Sequence, residues 1–188
     1  MTIVLFALAM IVAALVAYGI SIYNGLVSVK HQVDQAWSNI DVLLKQRHDE
    51  LPKLIDVVRG HAGYERELIE KITALRARTG SGGSDAQRLA AEDELSRGIG
   101  RLFATAEAYP DLKASASYVE LQRRISGLEE QIAHRREYYN AAVNLNNVRM
   151  EQFPDTLLVQ RAGLVTRPLF AAVEKERMDV NVDALLSR

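Results

Sequence analysis

Four histidines, His31, His48, His61 and His134, are the first residues to weigh for chemistry. A structural zinc site takes four ligands and a catalytic one three, and the helical His-Glu-x-x-His pair that starts many such sites does not occur. His61 and Glu65 share one helical face and could hold two positions of a metal, but no third ligand lies near them in sequence, so a solvated face is the preferred reading. Asp34, Asp41, Asp49 and Asp56 form a carboxylate row repeating every seven or eight residues. A di-metal bundle would also need Glu-x-x-His on two helices, and that is missing. Glu65, Glu67 and Glu70 beside Arg66 and Lys71 read as surface ion pairs, worth about 0.2–0.5 kcal/mol each. There is no cysteine, which excludes disulfides, thiolate metal sites and a cysteine nucleophile. Gly80-Ser81-Gly82-Gly83 lacks the lysine of a phosphate loop, and Gly-x-Ser-x-Gly is missing. No catalytic, cofactor-binding or metal residue is assigned, and no cofactor is expected.

One polar cluster is denser than a solvated face needs. Arg135-Arg136-Glu137-Tyr138-Tyr139-Asn140 is followed by Asn144, Asn146 and Asn147. On helical spacing Arg135 and Asn146 fall on the apolar seam, where a polar residue lowers stability but can fix register or partner choice. Arg135, Arg136, Tyr139 and Asn140 are therefore the candidate interaction surface. If the arginine pairs within the chain, Glu107 and Asp111 are the expected partners.

These residues must be positioned by helices. From Thr2 to Val29 there is no charged residue or histidine, and Ile3 to Ile22 is almost wholly apolar. Roughly 20 such residues cross a bilayer core as a helix. Tyr18 and Tyr23 fall towards the exit end, at headgroup level. No basic residue opens the run and Ala14-Leu15-Val16-Ala17 is a poor cleavage site, so an uncleaved anchor over residues 1–23 is favoured over a signal peptide. Lys30, Lys45 and Arg47 after the anchor put the following domain in the cytoplasm by the positive-inside rule; the bias is small and leaves a periplasmic placement open. The formal charge of −1 gives no electrostatic reason for a nucleic-acid partner.

Residues 24–166 read as an antiparallel bundle of long helices, and 167–188 as a partly irregular tail. The first stripe runs Leu26, Val29, Val33, Trp37, Ile40, Leu44, then Leu51, Leu54, Val58, then Leu68 or Ile69, Ile72, Leu75. Pro52 should kink this rod, and Gly60 and Gly63 weaken it. Asn24-Gly25 is too slight a break to separate it from the anchor. Ser84 or Asp85 can cap a second helix carrying Leu89, Leu95, Ile99, Leu102 and Ala106, which ends near Tyr109-Pro110. The third carries a coiled-coil-like seam from Tyr118 through Leu121, Ile125, Leu128, Ile132, Arg135, Tyr139 and Ala142 to Asn146 and Met150, ending at Phe153-Pro154. Trp37 and Leu128 are expected in the core. The three rods differ in length, so parts of the first and third must meet the C-terminal segment, another subunit or solvent.

Several stretches carry a resemblance. Tyr23-Asn24-Gly25-Leu26-Val27 after the apolar run, Ala36-Trp37-Ser38-Asn39-Ile40-Asp41-Val42, Arg47-His48-Asp49-Glu50-Leu51-Pro52, Ala108-Tyr109-Pro110-Asp111-Leu112-Lys113, Arg135 to Asn140, and Phe153-Pro154 resemble the LemA family, in order along nearly the whole chain. Lys53 departs from the pattern, where asparagine is expected, and so does Met178-Asp179-Val180 in the tail. The resemblance implies a single-pass bacterial membrane protein with an antiparallel helical bundle, relatives among magnetosome-membrane proteins, and no established catalytic mechanism. The expected function is a non-catalytic scaffold or adaptor. Its partners would be lipid, through the N-terminal helix, and other membrane proteins, among them an HtpX-type peptidase or further copies of itself. The alternative is a hydrolase with an unrecognised carboxylate or metal site.

Overall fold

A computed structural model describes residues 1–60, 66–80 and 84–170. Its elements are helices α1 (Thr2–Arg59), α2 (Arg66–Gly80), α3 (Asp85–Ala106), α4 (Pro110–Lys113) and α5 (Ala116–Glu151), then a 3-10 turn (Asp155–Leu157) and α6 (Val159–Ala162). Among the described residues there is no strand. The apolar run and the first bundle helix are one continuous helix of 58 residues, about 87 Å at 1.5 Å per residue. Pro52 lies inside it without ending it. Its N-terminal part stands free, and Leu26 is the first buried residue.

The first rod is shorter than its apolar stripe. The helix stops at Arg59, and α2 runs back along it, with Arg76 Nε donating to His48 O at 3.0 Å while Ile69 packs near Val58. Gly60 marks the break, since glycine loses the most backbone freedom in a helix. Among the described residues four long helices result in place of three, running up, down, up and down. Ser84 starts α3 through a reciprocal capping box with Gln87, and Ser115 caps α5 at Tyr118 N. Pro110 occupies the first turn of α4, where its missing N–H costs nothing.

Three apolar layers stack along the bundle. The distal one joins Leu51, Leu54 and Val58 to Ile72, Leu95, Leu102, Tyr118 and Ile125. The middle one joins Val33, Ile40 and Leu44 to Leu89, Ile132, Tyr139, Val143 and Phe170. The third, nearest the free apolar helix, joins Leu26 to Ala162 and Leu164. Each fully buried leucine or isoleucine contributes roughly 1.5–3 kcal/mol. The α2–α3 hairpin, with helices of 15 and 22 residues, is too short to cover α1 and α5 to their membrane-proximal ends. The C-terminal segment fills that gap. Gly163 turns it at φ 69°, a left-handed angle that glycine alone adopts without strain, so that Leu164 can fold back against Leu26.

Two core expectations need correction. Trp37 is half-buried at the rim of the middle layer, and Leu128 is half-buried beside an open groove between α1 and α5. At the level of Leu128 the interior is taken by a guanidinium, and Glu129 turns inward to meet it, which rotates Leu128 outward.

Candidate functional site

The apolar stripes of α1 and α3 each skip one position. Between Leu44 and Leu51 the inward residue is Arg47, and between Leu89 and Leu95 it is Glu92, both with 0 % exposure. An ionised side chain in such a place is tolerable only when paired and hydrogen-bonded. Arg47 Nη2 bonds Glu92, while its Nη1 donates to Glu129 Oε1 at 2.6 Å and to Ser96 Oγ at 2.7 Å. One guanidinium thus ties α1 to α3 and α5 between the distal and middle layers. Arg136 adds a second cation from α5, with Nη1 2.8 Å from Asp93 Oδ1 and its guanidinium 4.6 Å from the centre of the Phe170 ring.

His48 completes the layer. Its Nε2 lies 3.3 Å from Glu92 Oε1 and 3.2 Å from the Thr79 hydroxyl, which itself donates to Arg76 O at 2.7 Å. With that proton committed, the Thr79 oxygen can only accept, as Glu92 does, which puts the His48 proton on Nε2. Burial alone would raise the pKa of Glu92, but the His48 hydrogen bond and the Arg47 charge outweigh it and hold the carboxyl below its ordinary 4.5. Burial lowers the pKa of Arg136, with Asp93 opposing the shift. A second bridge lies one turn further from the membrane, where Arg124 of α5 bonds Glu50 of α1.

The residues read as an interaction surface separate here. The seam steps by four from Ile132, so Arg136 and not Arg135 turns inward, towards the acids of α3. Arg135 is exposed. The acid that pairs with Arg136 is Asp93, correcting the expectation of Glu107 or Asp111; Glu107 instead bonds Lys113 beside α4. Tyr139 donates its hydroxyl to Pro168 O at 3.1 Å, and Asn140 exchanges two hydrogen bonds with the Phe170 backbone, at 3.0 and 3.1 Å. Asn146 donates to Val165 O at 2.9 Å. The asparagines therefore hold the backbone of residues 165–170 along α5. Phe170 in turn packs on Trp37 and Tyr139 with ring centres 6.3 and 5.6 Å apart, and Arg88 covers the outer face of Trp37.

Of the acids in the carboxylate row, Asp34 bonds Arg167 and Asp41 bonds Arg88. His61 and Glu65 lie outside the described residues, as do Ser81 to Gly83 and residues 171–188. Among the described residues, no three acidic or histidine side chains converge as a metal-binding group. Sequence reasoning did not single out Glu92, Asp93, Ser96 or Glu129, and it counted Arg47 as a topological charge and as part of a family motif, not as a buried ion. The signal was present in the skipped stripe positions.

The LemA family model matches residues 36–183, a span that includes Arg47, Glu92, Glu129 and Arg136. The chain is 29 % identical to Protein LemA of Metamycoplasma hominis over 86 % of this chain and 74 % of that protein. It is 23 % identical to Magnetosome protein MamQ of Magnetospirillum gryphiswaldense, over 83 % of this chain and 68 % of the relative. A free apolar N-terminal helix that fits a membrane anchor, the helical bundle behind it and the family match agree, and the chain belongs to the LemA family.

Proposed function

We propose that this protein is a membrane-tethered, non-catalytic scaffold that presents a stiff helical rod to other membrane proteins. The observation that carries the reading is the buried ion layer. Its two guanidiniums and three carboxylates are spent on one another across α1, α3 and α5, which fixes helix register rather than presenting reactive groups to solvent. Beyond the apolar run, the 36-residue α5 lies along α1 and would carry the rod about 54 Å from the membrane. The surface offered to a partner is the open groove between α1 and α5, where Leu128 and Gly127 lie among Gln46, Asp49, Arg123 and Gln131. The free apolar N-terminal helix supports a role at a membrane, and one relative is named as a magnetosome protein. The cytoplasm is the side favoured by Lys30, Lys45 and Arg47.

The test places a photo-crosslinking residue at Gln46 or Gln131 in the groove, and at Glu70 on α2 as a control. Discrete products from the groove positions in cells, identified by mass spectrometry, are expected, with an HtpX-type peptidase and a second copy of this chain as the first partners to check. Absence of products from every groove position would overturn the reading.

A hydrolase remains the second reading because His48, which keeps partial exposure, sits on a buried carboxylate, an arrangement that can move a proton. Stoichiometric metal in the purified protein, or substrate turnover lost in His48→Gln, would favour it.

A further inference from the structure

The segment between α5 and Gly163 has two faces. Leu158 and Val159 pack inward against the layer formed by Leu26, Ala162 and Leu164, as Ile22 of α1 does. Phe153 and Leu157 point the other way and are 80 % and 70 % exposed. Two large apolar side chains this open within one short turn form a local apolar patch of the kind that marks an interaction site.

Their height along α1 says with what. Arg149 near the end of α5 is level with Gly25, where an added Cβ would come within 3.2 Å of its Nη2. The chain then continues past Arg149, and Leu158 and Val159 join Ile22 and Val27 of α1 in packing against the layer of Leu26, Ala162 and Leu164. Ile3 to Ile22 is the apolar run, and its length of about 30 Å equals the hydrocarbon thickness of a bilayer. Ile22 therefore marks the boundary between hydrocarbon and headgroups. Tyr18 and Tyr23, both exposed, flank it as interfacial aromatics do. Arg161 is exposed on the same segment.

We propose that the turn from Phe153 to Leu157 is a second membrane contact, with Phe153 and Leu157 seated in the lipid at the headgroup boundary beside the exit of α1. The proposal rests on the anchor reading of α1. A single helix leaves a rod free to swing about its point of exit; a second apolar contact, offset from the axis of α1 by the width of the bundle, fixes tilt and rotation. Arg149 at the end of α5 bonds Asp155 and shapes the turn, while Arg161, exposed on the segment itself, would meet lipid phosphates.

The chain has no cysteine, so single probes are straightforward. Full-length Phe153→Cys and Leu157→Cys would carry an environment-sensitive fluorophore in phosphatidylcholine vesicles, with Leu15→Cys in the apolar run and Val119→Cys at the distal end as references. Circular dichroism checks the fold of each. Lipids bearing a nitroxide near the headgroup should quench most of the emission at positions 153 and 157. Those with the nitroxide deep in the chain should quench position 15, and neither should quench position 119. If position 15 is quenched while 153 and 157 behave like 119, the second contact is overturned and the anchor stands. If position 15 is not quenched either, the anchor reading falls and the proposal with it. Blue-shifted but unquenched emission at 153 and 157 would mean that protein covers the patch, which also overturns it.

Discussion

Replacing Glu92 by glutamine tests the ion layer most directly. Glu92 is fully buried and meets both Arg47 and His48, while the other acid on Arg47, Glu129, keeps 24 % of its side chain exposed. Glutamine keeps the shape but removes the charge, leaving Arg47 in the interior with a partner partly open to water. Removing one member of a buried pair costs about 3–5 kcal/mol, and the surviving bond to Glu129 argues for the lower end. At roughly 2–4 °C per kcal/mol for a chain of this size, a loss of about 3 kcal/mol lowers the melting midpoint by roughly 6–12 °C. The assay is thermal unfolding of the full-length protein in detergent micelles, followed by far-UV circular dichroism. Replacing both partners with apolar residues, Arg47→Met with Glu92→Leu, removes the orphaned charge and should recover most of the loss. A Glu92→Gln cost below about 1 kcal/mol, or a double variant no more stable than the single, would refute the claim that the layer is a buried, mutually dependent network.

Acid should probe the same group. The folded-state pKa of Glu92 is depressed, so its contribution is present above the unfolded value and is lost as pH falls through the folded one, which predicts destabilisation below pH 4.5 that is blunted in Glu92→Gln. Trp37→Ala should cost about 2–3 kcal/mol, since its ring contacts Tyr139 and Phe170 at the rim of the core, while Leu128→Ala should cost under about 1 kcal/mol; equal losses in thermal melts would show that the groove beside Leu128 is closed. Asn140→Ala removes both hydrogen bonds to Phe170 and should cost about 1–3 kcal/mol, with faster proteolysis after residue 165; unchanged digestion would mean that ring packing alone holds the segment.

Much was legible in the sequence because it is local. The uncharged run from Thr2 to Val29 needs no tertiary partner to declare itself, and its join to the next helix follows from the weakness of Asn24-Gly25 as a break. The stripes of α3 and α5, the Ser84 cap and the stop before Pro110 are read within a few residues each. Motif order along the chain was enough for the family. Helical periodicity across a turn is not local in the same sense. The stripe on α1 resumes on α2 in nearly the same phase, and nothing in spacing alone says that the chain reverses after Arg59. Only the packing of Ile69 and Ile72 on α1 and α3 decides it.

The polar interior lies furthest from sequence. Arg47 and Glu92 each read as an interruption in an apolar stripe, and a single interruption is as easily solvated as buried. Whether it is buried depends on a complementary charge 45 residues away arriving at the same height. Arg135 and Arg136 differ by one helical step, about 100°, and the choice between them is made by where Asp93 stands on another helix. The sequence by itself determined the helices, the apolar run and the family. Register, the pairing of charges and the docking of residues 165–170 on the asparagines of α5 belong to the tertiary structure, because a buried charge acquires its meaning only from the group that neutralises it.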